Sequence, residues 1–174
     1  RRVLFRSQTL NNYFELEGKM AAQDKLCEET QEKKNAVESY VYTLRSRLSG
    51  DLSEFVKPEE SQKIMARLEE TEDWLYEDGE HQTKSVYVAK LEELQKMGDP
   101  ICLRFSESET RPAAAQMLNQ MCENYLAMAM SDVEEYSHIE ASEKAKVTKE
   151  CETALKWLNE KLQMQQQLLS TDDP

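Results

Sequence analysis

The chain has 174 residues, 39% hydrophobic and 32% charged, with a net charge of −12 and only 4 Gly and 4 Pro. Its size fits one domain or two small ones, and so acidic a balance, with no basic stripe, argues against nucleic-acid binding. No apolar run is long enough for a membrane span, and sparse Gly and Pro among abundant Glu, Lys, Gln, Leu and Met favours helix nearly everywhere.

The opening RRVLFRS is basic and only briefly apolar, too short for a signal peptide. It lacks an initiator Met and reads back as codons of a common sequencing-adapter end. Arg1–Ser7 is therefore expected to be a non-native segment on a fragment, and the fold is read from residue 8. A first helix is predicted from about Leu10 to Ala22, weakened by Gly18. A second runs from about Asp24 to Leu48. Its Val37, Tyr40, Val41, Leu44 and Leu48 recur at helical spacing, with Leu26 extending the stripe backwards and Gly50 closing it.

Pro58 suits the first turn of a third helix, followed by Glu59 and Glu60. Its stripe is Ile64, Leu68, Thr71 and Leu75, with Met65 alongside, and Gly79 is read as its stop. A fourth helix, about Thr83 to Met97, carries Tyr87, Val88, Leu91 and Leu94 and is expected to stop at Gly98-Asp99-Pro100. ICLRFSES, from Ile101, reads as a short extended link. A fifth helix from about Arg111 to Ser131 would bury Ala114, Met117, Leu118, Met121, Tyr125 and Met128. A sixth, about Ile139 to Leu168, carries Val147, Cys151, Ala154, Leu155, Leu158 and Leu162, with Ser137-x-x-Glu140 as a candidate capping box. The resulting class is all-α, a long lid-type helix leading into an antiparallel bundle of about five to six helices. The domain spans 8–168, with 169–174 a frayed polar tail.

Little in the chain resembles catalytic chemistry. Four dispersed glycines leave no phosphate-cradling loop. His81 and His138 each stand alone and read as loop residues rather than metal ligands. Cys27, Cys102, Cys122 and Cys151 form no C-x-x-C and read as buried free thiols of a reducing compartment. Adjacent carboxylates such as Glu69/Glu70 and Glu134/Glu135 point about 100° apart on a helix, so they read as solvated faces. No enzyme, cofactor or metal site is expected. The second helix is more informative. With its core stripe centred on Val37, Asn35, Glu38, Tyr42 and Arg45 point roughly 80–160° away. They form either a polar cover for a neighbouring helix or a docking face for a partner.

KKNAVESYVYTLRSRLSG, Lys33 to Gly50, resembles the lid helix of the 70-kDa heat-shock chaperones. EETEDWLYEDGE followed by VYVAKLEELQKMGDPI is similar to the 110-kDa heat-shock protein family, their large cytosolic relatives. GKMAAQDKLCEET upstream and RFSESETRP downstream fit the same family, and the resemblance covers about Leu10 to Gln166. It implies the C-terminal helical part of a chaperone that holds unfolded clients and acts as a nucleotide-exchange factor. In such exchange the bundle helps clamp the nucleotide-binding domain of a 70-kDa chaperone. Asn35 and Glu38 match the contact along the lid helix; Tyr42 and Arg45 extend it on the wheel alone. ATP would bind only in a domain absent from this fragment, and the location would be cytoplasmic. A general interaction or lid bundle without an exchange role is the alternative, and an unrelated helical scaffold a third. Within EDWLYEDGE, Leu75 belongs to a core stripe, Trp74 and Tyr76 flank it, and Gly79 is expected to end the helix.

Overall fold

The computed structural model describes residues 2–131 and 133–173, with side chains described from Gln8 onward apart from Glu135. The adapter-like Arg1–Ser7 and the Glu135 half of the Glu134/Glu135 pair thus lie outside the described side chains. Four long helices carry the fold: α1 (Arg2–Leu48), α2 (Pro58–Tyr76), α3 (Lys84–Met130) and α4 (Ala141–Gln165). Among the described residues there is no strand. The all-α class holds, but six expected segments become four because two expected breaks do not break.

The first is the boundary near Asp24. Gly18 costs a helix about 1 kcal/mol, too little to stop one flanked by good helix formers, and α1 runs through it. The second is Gly98-Asp99-Pro100. Pro100 and Pro112 both lie inside α3, so ICLRFSES is helical rather than extended. A proline inside a helix costs about 3 kcal/mol. Leu94 and Ile101, on either side of Pro100, are both completely buried, and burial of two such side chains contributes roughly 3–6 kcal/mol. Tertiary burial outweighs the local penalty.

The chain divides into two compact units. The first comprises Arg1–Gly50 and Pro58–Asp99. In it α1 and α2 run antiparallel: Glu38 meets Tyr76, and seven residues on, Arg45 meets Glu72. The first part of α3 runs antiparallel to α2, with Trp74 against Tyr87 and Arg67 bonded to Glu93. It is parallel to α1, with Lys84 on Glu29 at 2.9 Å and Asp99 on Tyr40 at 2.9 Å. The core follows the expected stripes: Val37, Val41, Leu44 and Leu48 from α1, Ile64, Leu68, Thr71 and Leu75 from α2, and Tyr87 and Leu94 from α3 are buried, while Tyr40, Val88 and Leu91 of the same stripes are half-buried. Leu26 does not extend it. It is half exposed, because α3 begins only at the height of Glu29 and covers α1 from there onward.

The corner after α2 is built around a phenol. Tyr87 is buried, and its hydroxyl donates to the carbonyl oxygens of Gly79 at 2.6 Å and Glu80 at 3.1 Å. The Gly79 amide donates to the Trp74 carbonyl at 2.7 Å. α1 and α2 end just before Gly50 and Gly79, as expected, although no glycine adopts positive φ. Gly79 is required by close approach to Trp74, and Gly98, inside α3, by close approach to Tyr40 and Leu44.

The second unit comprises Asp51–Lys57 and Pro100–Pro174. Here the rest of α3 pairs antiparallel with α4; Lys144 donates to the Ser131 carbonyl at 3.2 Å, and burial first, then the neighbouring Cys122, pushes the Cys151 thiol up. The fifth-helix stripe is out of phase with expectation. Cys122 is the buried residue, with Leu118 and Leu126 half-buried on its side, while Met117, Met121, Tyr125 and Met128 are exposed. Both sets are apolar at helical spacing, so periodicity alone does not choose between them. On α4, Cys151 and Leu158 are buried but Val147 is exposed. The capping box is not made. Ser137 instead donates to the Glu134 carbonyl at 2.7 Å, closing a short 3₁₀ turn, and α4 starts at Ala141 without a side-chain cap.

The polar tail, expected to fray, is tied back. Ser170 donates to the Glu54 carbonyl at 2.6 Å. Lys57 pairs with Asp172 at 3.3 Å, and Arg104 bonds both Asp173 and the Phe55 carbonyl. These partners lie over 40 residues away in sequence, beyond the reach of local pattern.

Candidate functional site

Within the first unit, α1 and α2 share an exposed polar seam. Because they run antiparallel, residues of α1 at one-turn spacing meet residues of α2 in reverse order. Glu38, Tyr42 and Arg45 stand at i, i+4 and i+7 on α1, and Tyr76 and Glu72 stand opposite. The Tyr76 hydroxyl donates to Glu38 Oε1 at 2.8 Å. It lies 3.4 Å from the Tyr42 hydroxyl. Arg45 pairs with Glu72 at 2.5 Å. The Arg45 guanidinium, and after it the Tyr42 hydroxyl, hold the Glu72 carboxyl below the ordinary glutamate range. Hydrogen bonding to Tyr42, then to Glu38, pushes the Tyr76 phenol above the ordinary tyrosine value.

Three of the four residues singled out from the wheel are therefore gathered into one network, and all four face away from the core. Asn35 stands one turn before Glu38, exposed, its Oδ1 accepting from Gln31 Nε2 at 2.9 Å. Tyr76 and Glu72 are the members that wheel reasoning on α1 misses. Their signal lies in EDWLYEDGE, where Tyr76 flanks Leu75. Trp74, on the other flank, packs edge-on to Tyr87 at 5.9 Å with the Lys90 ammonium 5.2 Å from its ring centre.

The seam can present a hydroxyl pair, a carboxylate and an amide on a rigid two-helix base. It contains no nucleophile–base pair. Among the described residues no group of three His, Cys, Asp or Glu side chains is placed to hold a metal ion, and no helix is long and apolar enough to cross a membrane. His81 is almost wholly exposed and His138 exposed in a turn. Of the four thiols only Cys122 and Cys151 are buried; Cys27, expected inside, is exposed because its stretch of α1 is uncovered.

The second unit has a different surface. An apolar groove of about 580 Å³ between α3 and α4 is lined by Leu118, Trp157, Leu158 and Leu162, with Arg111 and Lys161 among its walls.

The chain matches the family model of the Hsp70 protein over residues 5–107. It is 49% identical to heat shock 70 kDa protein 15 of Arabidopsis thaliana over 154 residues, covering 88% of the chain and 18% of that protein. It is 44% identical to human heat shock 70 kDa protein 4 over 170 residues, 96% of the chain and 20% of that protein. With human heat shock 70 kDa protein 4L the identity is 46% over 168 residues, 95% of the chain and 20% of that protein. The chain thus spans about a fifth of the length of the curated relatives it matches.

Proposed function

Given that this chain belongs to the Hsp70 protein family, beside its large members, we propose that it is the C-terminal lid and bundle of a 110-kDa-type chaperone. In this reading it helps clamp the nucleotide-binding domain of a 70-kDa heat-shock chaperone for ADP/ATP exchange. It also supports the holding of unfolded clients, in the cytoplasm. It performs no catalysis itself and holds no ATP; that chemistry belongs to other parts of the parent protein.

The observation that carries this reading is the α1–α2 seam, with Asn35 exposed and Glu38 anchored one turn later. A clamp needs polar groups held in fixed positions on rigid elements, and side chains of a solvated helix face are ordinarily free to wander. Half an embrace has only part of the avidity, since affinity from linked sites falls steeply when one is lost. Binding by this chain alone is accordingly weaker than that of the whole parent.

The test is a titration of this chain against the isolated nucleotide-binding domain of a 70-kDa chaperone. Asn35→Tyr combined with Glu38→Ala should weaken binding by about tenfold or more, while helicity and melting stay near wild type. Binding at wild-type strength in the double variant would place the contact elsewhere. A second reading, a general interaction bundle without an exchange role, is supported by the apolar groove of the second unit. An unrelated helical scaffold would show no binding of the nucleotide-binding domain at all.

A further inference from the structure

Glu38 shares with Asp99, bonded by Tyr40, a neutral tyrosine donor, and differs in this from the ion-paired carboxylates of the first unit. Glu29, Glu72 and Glu93 are each held by a cation of the chain: Lys84, Arg45 and Arg67. Glu38 is half-buried and held only by a neutral donor, the Tyr76 hydroxyl. Among the described residues no Lys or Arg pairs with it. Tyr76 has one proton to give, and Glu38 Oε1 takes it. The proton of Tyr42 is left to bridge to Tyr76 or to Glu72. Glu38 thus keeps its second oxygen and its full charge uncompensated, in a side chain already fixed against α2. Asn35, one turn earlier, has its oxygen engaged by Gln31, which leaves its amide N–H groups to donate.

We propose that Tyr76 is a positioning residue of the docking face. It holds the Glu38 carboxylate so that its free oxygen meets a cationic side chain of the partner, a guanidinium or an ammonium, while the Asn35 amide donates to an acceptor one turn away. This rests on the clamp reading above and adds to it a second helix and the chemistry of the matching group. The advantage is pre-organisation. A long carboxylate that binding must immobilise loses rotamer freedom, and one already held does not.

The experiment is a double-mutant cycle. This chain and its Tyr76→Phe, Glu38→Gln and doubly substituted forms are titrated against the isolated nucleotide-binding domain of a 70-kDa chaperone, at two salt concentrations. Tyr76→Phe should weaken binding about three- to tenfold where Glu38 is present and have almost no effect once Glu38→Gln is in place. Glu38→Gln should also flatten the salt dependence, as loss of a charge contact requires. Glu38→Asp keeps the charge but falls short of Tyr76, and should resemble Tyr76→Phe without touching α2. Equal losses from Tyr76→Phe in both backgrounds would make Tyr76 a direct contact or a structural support, which overturns the proposal. Wild-type affinity of Tyr76→Phe beside a weakened Glu38→Gln would overturn the positioning role and leave the clamp standing. No effect of Glu38→Gln would place the contact elsewhere and overturn this inference, whereas no binding by the unsubstituted chain would overturn the clamp reading itself.

Discussion

A methyl group added at Gly79 would sit 2.5 Å from the Trp74 carbonyl oxygen and 2.6 Å from Cδ2 of its ring. The backbone there is fixed by the Gly79 amide bond to that same carbonyl and by Tyr87, so neither side can yield. At Gly98 the obstruction is the Tyr40 hydroxyl at 2.5 Å and the Leu44 methyl at 2.6 Å. Those are side-chain ends rather than backbone, so they can give by a small shift even though Leu44 is buried and Tyr40 is bonded to Asp99, and Ala recovers about 1 kcal/mol of helix propensity at an interior helical position. Gly79→Ala should therefore destabilise by roughly 1–3 kcal/mol, and Gly98→Ala by clearly less. Urea midpoints of the two variants decide it; the opposite order would mean that the α2 corner is softer than the α1–α3 contact.

At the scale of elements, what could be read from sequence depended on whether local pattern or distant packing set the outcome. The stripes of α2 and of the second half of α1 were legible because each has one apolar face, so Ile64, Leu68, Thr71 and Leu75 are buried as expected. The C-terminal half of α3 was not, since its Met stripe competes with the line through Cys122, and only the position of α4 selects between them. The same reason explains the missing break: Pro100 is a local stop signal, and the burial of Leu94 and Ile101, set by distant packing, overrides it. The seam was half legible. Asn35, Glu38, Tyr42 and Arg45 follow from one helical wheel, whereas Tyr76 and Glu72 join them only through antiparallel pairing with α2. The same logic makes a prediction for α1. Nothing lies within 4 Å of a methyl at Gly18, and the helix there is exposed. Gly18→Ala should raise helicity by far-ultraviolet circular dichroism and leave the unfolding midpoint of the packed core almost unchanged. A shifted midpoint would show that this part of α1 is coupled to the core.

For the molecule as a whole, charge works in two directions as pH changes. The net charge of −12 makes mild acidification relieve self-repulsion. Against this, carboxylates in both units are held in their ionised form. Lys84 lowers the pKa of Glu29, Arg45 that of Glu72, and the Leu169 amide followed by Lys57 that of Asp172. For Glu93, burial opposes ionisation most, yet the bonds from Arg67 and the charge of Lys90 leave its pKa lowered. A group whose folded pKa lies below its unfolded value binds more protons when unfolded. Its stabilising contribution is complete above the unfolded value, about 4.3 for Glu and 3.9 for Asp, and disappears as pH falls through the folded one. Tyr76 is the reverse case. Its raised pKa stabilises below the ordinary tyrosine value of about 10, and that contribution is lost as pH climbs toward the folded value. Exposed pairs contribute little individually, so the acid loss should be gradual and shared, beginning below about pH 4.3. Melting temperatures from pH 7 to pH 2.5 check this. They should hold steady or rise slightly to about pH 5, where relief of repulsion acts alone, and then fall. In Arg45→Gln, which removes the cation holding Glu72, the acid fall should be shallower. An identical acid limb in that variant would show that Glu72 is no more acidic folded than unfolded.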